Sequence, residues 1–207
     1  YVSGALKLIN DAENEFGSFK RLTKGELKIG CSASLTKLVL LQALKEFHQD
    51  YPGIKINVVN ELTSNLISDL KLGKLDFVIF NESNIKEEGL ELRKLKELKM
   101  GFVYNPKYFE DKIVNIEDLN YYPLILQKEA SNTRKFLDNL LLAKGIRLVP
   151  KMEVVSQDLI MEFANIGLGF GFGFVDLAKE KYKNLQEIDL NKELPSTSVY
   201  LGVNKDM

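Results

Sequence analysis

The stretch GELKIGCSASLTKLVLLQALKEFHQDYPGIKINVVNELTSNLISDLKLGKLDFVIF, residues 25–80, alternates short apolar segments with longer segments of helical periodicity. The short segments ELKIGC (26–31), IKINVV (54–59) and DFVIF (76–80) are predicted to be strands, and DFVIF is too uniformly apolar to have one face in water. Between them, YPG (51–53) and Gly73 end two predicted helices. The apolar stripes of these helices are Leu38, Leu41, Leu44, Phe47 and Tyr51, then Leu62, Leu66, Ile67 and Leu70. This β-α-β-α-β order predicts a parallel sheet.

The same order of elements returns in the second half of the chain. Strands are predicted at LKMGFVYN (98–105), YPLILQ (122–127), KMEVV (151–155), GFGFGFV (169–175) and TSVYLGV (197–203). One helix carries Phe136, Leu137, Leu140 and Leu141 and ends near Gly145, and a second covers residues 157–166. The charge-rich residues 86–99 are interpreted as a solvated connection. We therefore expect an α/β protein of two Rossmann-like lobes with a central cleft.

The stretch ANIGLGFGFGF, residues 164–174, resembles a phosphate-binding loop in its glycine content. A dinucleotide loop follows a strand and precedes a helix, whereas these glycines follow a helix and lead into a strand. We predict that Gly167 caps the helix, and that Gly169, Gly171 and Gly173 share one strand face open to close approach. The phenylalanines between them fill the opposite face. The stretch is thus predicted to be structural.

Composition and charge exclude several classes of function. The chain has 207 residues, with 28 basic and 29 acidic side chains. Because it has no excess of positive charge, this segment alone is not expected to bind DNA. One cysteine precludes an internal disulfide, and neither an apolar run of about 20 residues nor a signal-peptide core is visible. We expect a cytoplasmic, non-membrane protein. Because the chain has one histidine and one cysteine, we predict no catalytic residues and no metal site, and we expect no cofactor.

The single cysteine and the single histidine each allow two interpretations. Cys31 is either a small core residue or a redox-sensing thiol, and the second role requires a lowered pKa. His48 lies on a predicted helix, far in sequence from the polar loops, and is either solvated or buried in the core.

Two polar loops lie where a predicted strand leads into a helix: CSASLT (31–36) and KEASNTR (128–134). Helix N-termini offer unpaired N–H groups and the positive end of the dipole, so both loops suit a carboxylate or another anion. Ordinary N-capping by serine and threonine is the alternative. Arg134 pairs either with a ligand carboxylate or with a neighbouring acid. Glu129 would repel a strongly anionic ligand.

Taken together, these motifs resemble the effector-binding domain of LysR-type transcriptional regulators over roughly residues 1–205. The order of GLELRKL, IEDLNYYPLIL and ANIGLGFGFGF also matches the family. The matching residues of the first half are Gly25, Leu27, Ile29, Gly30, Phe47, Tyr51, Pro52, Gly73, Leu75 and Asp76. The resemblance implies a type 2 periplasmic-binding-protein-like fold.

The resemblance also implies where an effector and a second copy would bind. Effectors in this family bind between the lobes, and its effector domains pair side by side as antiparallel homodimers. By resemblance, the two copies would contact each other through the helices near residues 36–50 and 133–144. The effector-contacting residues implied here are Ser32, Ala33, Ser34, Thr36, Ser131, Asn132, Thr133, Arg134, Ser156 and Asp158.

The expected organisation follows from the same resemblance. Residues 1–24 are the end of a linker helix, 25–96 the first part of lobe I, 97–193 lobe II, and 194–207 a return crossing to lobe I. We expect this chain to lack the winged helix-turn-helix domain of the family. In the full-length protein, DNA would be contacted only through that domain. The leading hypothesis is a ligand-sensing regulatory domain. A free-standing solute-binding protein and an enzyme on a similar scaffold are the rival hypotheses.

Overall fold

A computed structural model of the chain describes residues 25–82, 88–110, 115–190 and 194–205. The chain forms two compact units. Of the described residues, the first unit contains 25–80, 88–96 and 199–205, and the second contains 81–82, 97–110, 115–190 and 194–198. The linker helix expected at residues 1–24 lies outside the described residues, as do residues 86 and 87 of the predicted connection.

Strands and helices alternate along most of the described chain. In chain order they are β1 (Gly25–Cys31), α1 (Ala33–Leu35), a π-helical turn (Thr36–Leu40), α2 (Leu41–Asp50), β2 (Ile54–Val59), α3 (Thr63–Lys71), β3 (Phe77–Glu82), β4 (Leu90–Leu98), β5 (Met100–Tyr104), a 3₁₀ turn (Ile116–Tyr121), β6 (Leu124–Gln127), α4 (Asn132–Leu142), β7 (Met152–Val154), α5 (Gln157–Asn165), β8 (Phe170–Phe174), α6 (Val175–Lys181), β9 (Gln186–Glu187) and β10 (Thr197–Asn204).

The first sheet has the strand order β2-β1-β3-β10-β4. Strand β1 pairs in parallel with β2 and with β3, in a register that sets Gly30 beside Val59 and Val78. The predicted parallel β-α-β-α-β unit is therefore confirmed. Gly73 has a φ of 68° just after α3, the left-handed conformation in which glycine commonly ends a helix.

The first helix forms where it was predicted, but its buried face differs from the predicted stripe. Leu35, Leu40 and Ala43 are buried, whereas Leu41 is 59% exposed. The reason is the π-helical turn, in which Leu41 N–H donates to Thr36 O. The extra residue in that turn brings Leu35 and Leu40, five positions apart, to the buried side. The predicted stripe assumed a continuous α-helix, so it placed Leu41 on the buried face, which is wrong.

The interpretation of residues 86–99 as a solvated connection is wrong for the residues the structure describes. Residues Leu90–Leu98 form β4, at the edge of the first sheet. Leu90 and Leu98 are buried, and Leu92 lies against Gly202 of β10. The charged side chains point away from the core, as is common on edge strands. The segment predicted as one strand over 98–105 instead divides at Lys99 into β4 and β5.

The second sheet has the order β7-β6-β8-β5-β9. Strand β6 is parallel to β7 and β8, while β5 is antiparallel to β8 and β9. The predicted strands and helices at 122–127, 133–144, 151–155 and 157–166 are confirmed within a few residues. Helix α6 was not predicted.

The glycine-rich stretch has the structural role that the sequence predicts. Gly167 has a φ of 83° directly after α5. Helix α5 crosses the glycine face of β8 so closely that a Cβ on Gly171 would lie 2.5 Å from Ile160 Cγ2. On the opposite face the Phe172 ring lies 4.8 Å from that of Phe102. All three phenylalanines of β8 are buried.

Replacing Gly171 by alanine should lower the free energy of unfolding by about 1–3 kcal/mol, because α5 would have to move away from β8. Chemical denaturation followed by circular dichroism measures the change. Gly25→Ala is the matched control, because among the described residues its Cβ would meet only the flexible end of the Ile54 side chain, at 3.1 Å. Equal stability of the two variants would show that the close approach of α5 is unimportant.

Candidate functional site

Polar side chains collect at one edge of the second sheet. Strands β6, β7 and β8 are parallel, so their carboxyl ends share this edge. The residues that follow the strands there include Ser131 after β6, Ser156 after β7 and Val175 after β8. Helices α4, α5 and α6 each begin at this edge. The predicted residues of the second loop and those around 156–158 are thus brought together within one unit.

The side-chain amide of Gln157 links these three helix starts. Its Nε2 donates to Thr133 Oγ1 at 2.8 Å and lies 3.3 Å from Gln127 Oε1. Its Oε1 accepts from the backbone N–H of Phe174 at 3.0 Å. Gln157 is 3% exposed, so these bonds are shielded from water. The amide therefore fixes the starts of α4 and α6 relative to α5.

The loop before α4 combines capping with contacts to the end of β3. Ser131 Oγ accepts from Arg134 N–H at 3.1 Å, which is the N-capping alternative raised above. Asn132 Nδ2 donates to Asn81 O at 2.8 Å and lies 3.3 Å from Glu82 Oε2. Asn81 and Glu82 belong to the same unit as Asn132. Thr133 is buried, and its hydroxyl accepts from Gln157 Nε2.

Of the two alternatives for Arg134, the structure contains the ion pair with neighbouring acids. Its guanidinium binds Asp138 at 2.9 Å and Glu153 Oε1 at 2.8 Å, and it donates to Gln127 O at 3.1 Å. These carboxylates raise the pKa of Arg134 although burial opposes the charge. Its side chain is only 7% exposed. Arg134 therefore holds α4 to β6 and β7, and we leave it out of the proposed effector contacts.

The remaining predicted residues of the second unit lie at the start of α5. Ser156 is the N-cap residue and is half-buried, but its side chain makes no capping bond. Asp158 lies in the first turn, where a carboxylate is favoured by the helix dipole.

In the first unit, the predicted loop begins the helix that follows β1. Ser32 Oγ accepts from Leu35 N–H at 3.3 Å, and Thr36 Oγ1 donates to Ser32 O at 2.9 Å. Ser34 is buried, and Ala33 is half-buried. The two hydroxyls of Ser32 and Thr36 thus stabilise the helix start, which is the capping alternative.

The structure distinguishes the interpretations of Cys31 and His48. Cys31 is fully buried, and burial raises the pKa of its thiol to about 12. A redox-sensing thiol requires the opposite shift, so Cys31 is a core residue. His48 lies on the exposed side of α2 and is solvated.

Sequence reasoning missed four polar residues near the predicted loops: Gln127, Gln157, Asn81 and Glu82. The signal was present, because Gln127 ends β6 and Asn81 and Glu82 end β3, so each stands at a carboxyl strand end. Gln157 lies between the two predicted residues Ser156 and Asp158.

Two depressions lie away from these residues. One, in the second unit, has a volume of about 230 Å³ and contains the ion pair between Lys99 and Glu187, at 2.8 Å. The other is open, has a volume of about 550 Å³, and lies along the π-helical turn and α2, from Lys37 to His48. Within the described ranges, no group of three or more histidine, cysteine or acidic residues could hold a metal ion. Among these same residues, no helix combines the length and apolarity that crossing a membrane requires.

Replacing Gln157 by leucine should lower the free energy of unfolding by about 2–3 kcal/mol, because it leaves Phe174 N–H and the Thr133 hydroxyl buried without their partner. Thermal and chemical unfolding measure the loss. Gln49→Leu, on the exposed side of α2, is the control and should change stability little. A Gln157→Leu variant as stable as this control would contradict the linking role.

Comparisons with known proteins agree with this architecture. The uncharacterised HTH-type transcriptional regulator YwqM of Bacillus subtilis is 30% identical over 154 residues, which is 73% of this chain and 52% of YwqM. The chain spans about half the length of the curated relatives YwqM and CysL of Bacillus subtilis, which it matches. The cofactor-binding domain of the Cbl transcriptional regulator superposes with a TM-score of 0.77 at 18% identity, covering 92% of this chain and 86% of that domain.

The regulatory domain of CcmR from Synechocystis PCC6803, solved in complex with 2-PG, has a TM-score of 0.76 at 19% identity, and 89% of each chain is covered. These structural likenesses show the fold, which is the type 2 periplasmic-binding-protein-like fold. The family model of the LysR substrate binding domain matches residues 20–207. The chain therefore belongs to the LysR substrate-binding domain family.

Proposed function

We propose that this chain is the effector-sensing domain of a cytoplasmic transcriptional regulator. In the proposal, a small molecule binds at the carboxyl strand edges and controls DNA binding, which occurs through a helix-turn-helix domain of the full-length protein. The observation that carries the proposal is the buried Gln157 network, which fixes three helix starts around one polar edge. The first N–H groups of these helices have no partner within the helix, so fixed helix starts offer a ligand donors in a defined position.

Within the second unit, the proposed effector contacts are the residues predicted there from the sequence, without Arg134: Ser131, Asn132, Thr133, Ser156 and Asp158. Helix starts suit a carboxylate or another anion as one part of the ligand. The binding of 2-PG by CcmR supports a small-molecule effector in general. Its identity is not transferred, because the two chains are 19% identical. The effector would change regulation only by binding two conformations with different affinity.

The rival hypotheses have less support. The relatives are HTH-type regulators, which favours regulation over solute transport. No constellation of the described residues suggests an enzyme, and fold alone does not decide function.

The proposal predicts that a metabolite in a broad panel raises the melting temperature of the purified chain in a concentration-dependent way. Ser156→Ala should weaken that binding severalfold, by about 1 kcal/mol, because this hydroxyl is not needed to cap α5. Isothermal titration calorimetry measures the affinity, with Ser68→Ala on the exposed side of α3 as the control. If no metabolite in the panel stabilises the chain, the sensing proposal is wrong.

We also propose that the chain associates with a second copy through its helices near 36–50 and 133–144. The support is apolar exposure: Leu41 on α2 is 59% exposed in an open depression, and Leu142 on α4 is 77% exposed. Burial of such side chains stabilises an interface.

Leu41→Ser should therefore weaken self-association by about tenfold or more, as measured by sedimentation equilibrium. Leu72→Ser, at a similarly exposed leucine after α3, is the control. Leu142→Ser tests the contribution of α4, and Leu159→Ser tests whether the neighbouring α5 contributes instead. Unchanged association of Leu41→Ser and Leu142→Ser would contradict the proposed interface.

A further inference from the structure

The side-chain amide of Asn81 is a buried donor whose role the fold does not explain. Asn81 lies near the end of β3 and is 6% exposed. Among the described residues its Nδ2 has no hydrogen-bond partner, a feature that it shares with few other buried side-chain atoms there. Leaving such a donor unpaired costs about 1–3 kcal/mol. Buried polar groups of this kind commonly have a partner that binds later, such as a ligand.

The neighbours of Asn81 indicate what chemical groups that partner carries. Asn132 donates its side-chain N–H to Asn81 O, which places Asn81 beside the start of the 11-residue helix α4. The first turn of a helix offers N–H donors and a partial positive charge. With the Asn81 amide, this gives a set of donors that suits an oxygen acceptor. Glu82, which lies 3.3 Å from Asn132 Nδ2, adds an acceptor for a hydroxyl or amino group.

The charges around the same loop limit how negative the ligand can be. Three cations, Lys128, Arg134 and Lys135, stand in this loop and the first turn of α4, together with the carboxylates of Glu129, Asp138 and Glu153. Arg134 is already bonded to Asp138 and Glu153 and lies 3.9 Å from Glu129. Glu82 adds a further negative charge beside Asn132. Hence a ligand with two negative charges, such as a phosphate ester or a dicarboxylate, would be repelled.

From this arrangement we infer that Asn81 and Glu82 determine effector specificity, and that the effector is a hydroxyl- or amino-bearing small molecule with at most one negative charge. An oxygen of the effector accepts from Asn81 Nδ2, and its hydroxyl or amino group donates to Glu82. The inference rests on the proposed sensing function and narrows its ligand class.

The test uses thermal shift and calorimetry on the purified chain with a broad metabolite panel. Every compound that stabilises the chain is compared with its phosphorylated form or with its analogue carrying an extra carboxylate, as in glutamine against glutamate. The stabilising compounds should carry no more than one negative charge, and the more negative analogue should bind about tenfold or more weakly.

Two variants separate the specificity role from a packing role. Asn81→Leu should weaken binding about tenfold or more while the melting temperature without ligand does not fall, because the deleted amide donor has no partner. Glu82→Gln keeps the shape of the side chain and should let the more negative analogues bind. Asn57→Leu, on the exposed side of β2, is the control for adding an apolar side chain.

The possible outcomes distinguish a failure of the specificity inference from a failure of the sensing proposal. If phosphates or dicarboxylates bind best, or if Asn81→Leu binds as tightly as the parent, the specificity inference is overturned and the sensing proposal stands. A clear fall in the ligand-free melting temperature of Asn81→Leu would make Asn81 a packing residue and also overturn the inference. If no compound binds, the sensing proposal fails and the inference fails with it.

Discussion

The second unit depends on the close approach of helix α5 to the glycine face of strand β8. Any side chain at Gly171 or Gly173 would occupy space that Ile160, Met161 and Gln157 fill. Because the helix lies this close, the Gln157 amide reaches both Thr133 and the backbone of Phe174. The same contact therefore packs the core and positions the polar edge. Glycine is needed here for proximity to a helix, which differs from its role in a phosphate-binding loop.

The polar edge is held by bonds that are largely internal to the unit. Gln157 joins three helix starts, and Arg134 ties α4 to β6 and β7 through carboxylates and a backbone carbonyl. Such satisfied networks fix geometry, since breaking one bond leaves a buried group unpaired. The unpaired amide of Asn81 differs from these residues, and this difference is why we assign it to a ligand and the others to the scaffold.

Much of the architecture could be predicted from the sequence because local patterns specify it. Strand β3 begins with four apolar residues, β1 and β2 alternate apolar with polar residues, and YPG and Gly73 end the helices between the strands. The failures arise where tertiary structure decides. The π-helical turn changes which side chains are buried around Leu41, so the predicted apolar stripe was wrong there. The many charged residues of β4 made this strand resemble a solvated connection, although its end leucines are buried. The partners of Arg134 and Gln157 are up to 30 residues away, and no local pattern reveals them.

The central claim is that an effector contacts the helix starts and the end of β3. Backbone amide chemical shifts of the isotope-labelled chain, recorded with and without a metabolite that raises its melting temperature, test this most directly. Within the second unit, we predict the largest changes at residues 81–82, 131–134 and 156–158. Changes confined to other residues, such as those around the cavity of Lys99 and Glu187, would contradict it.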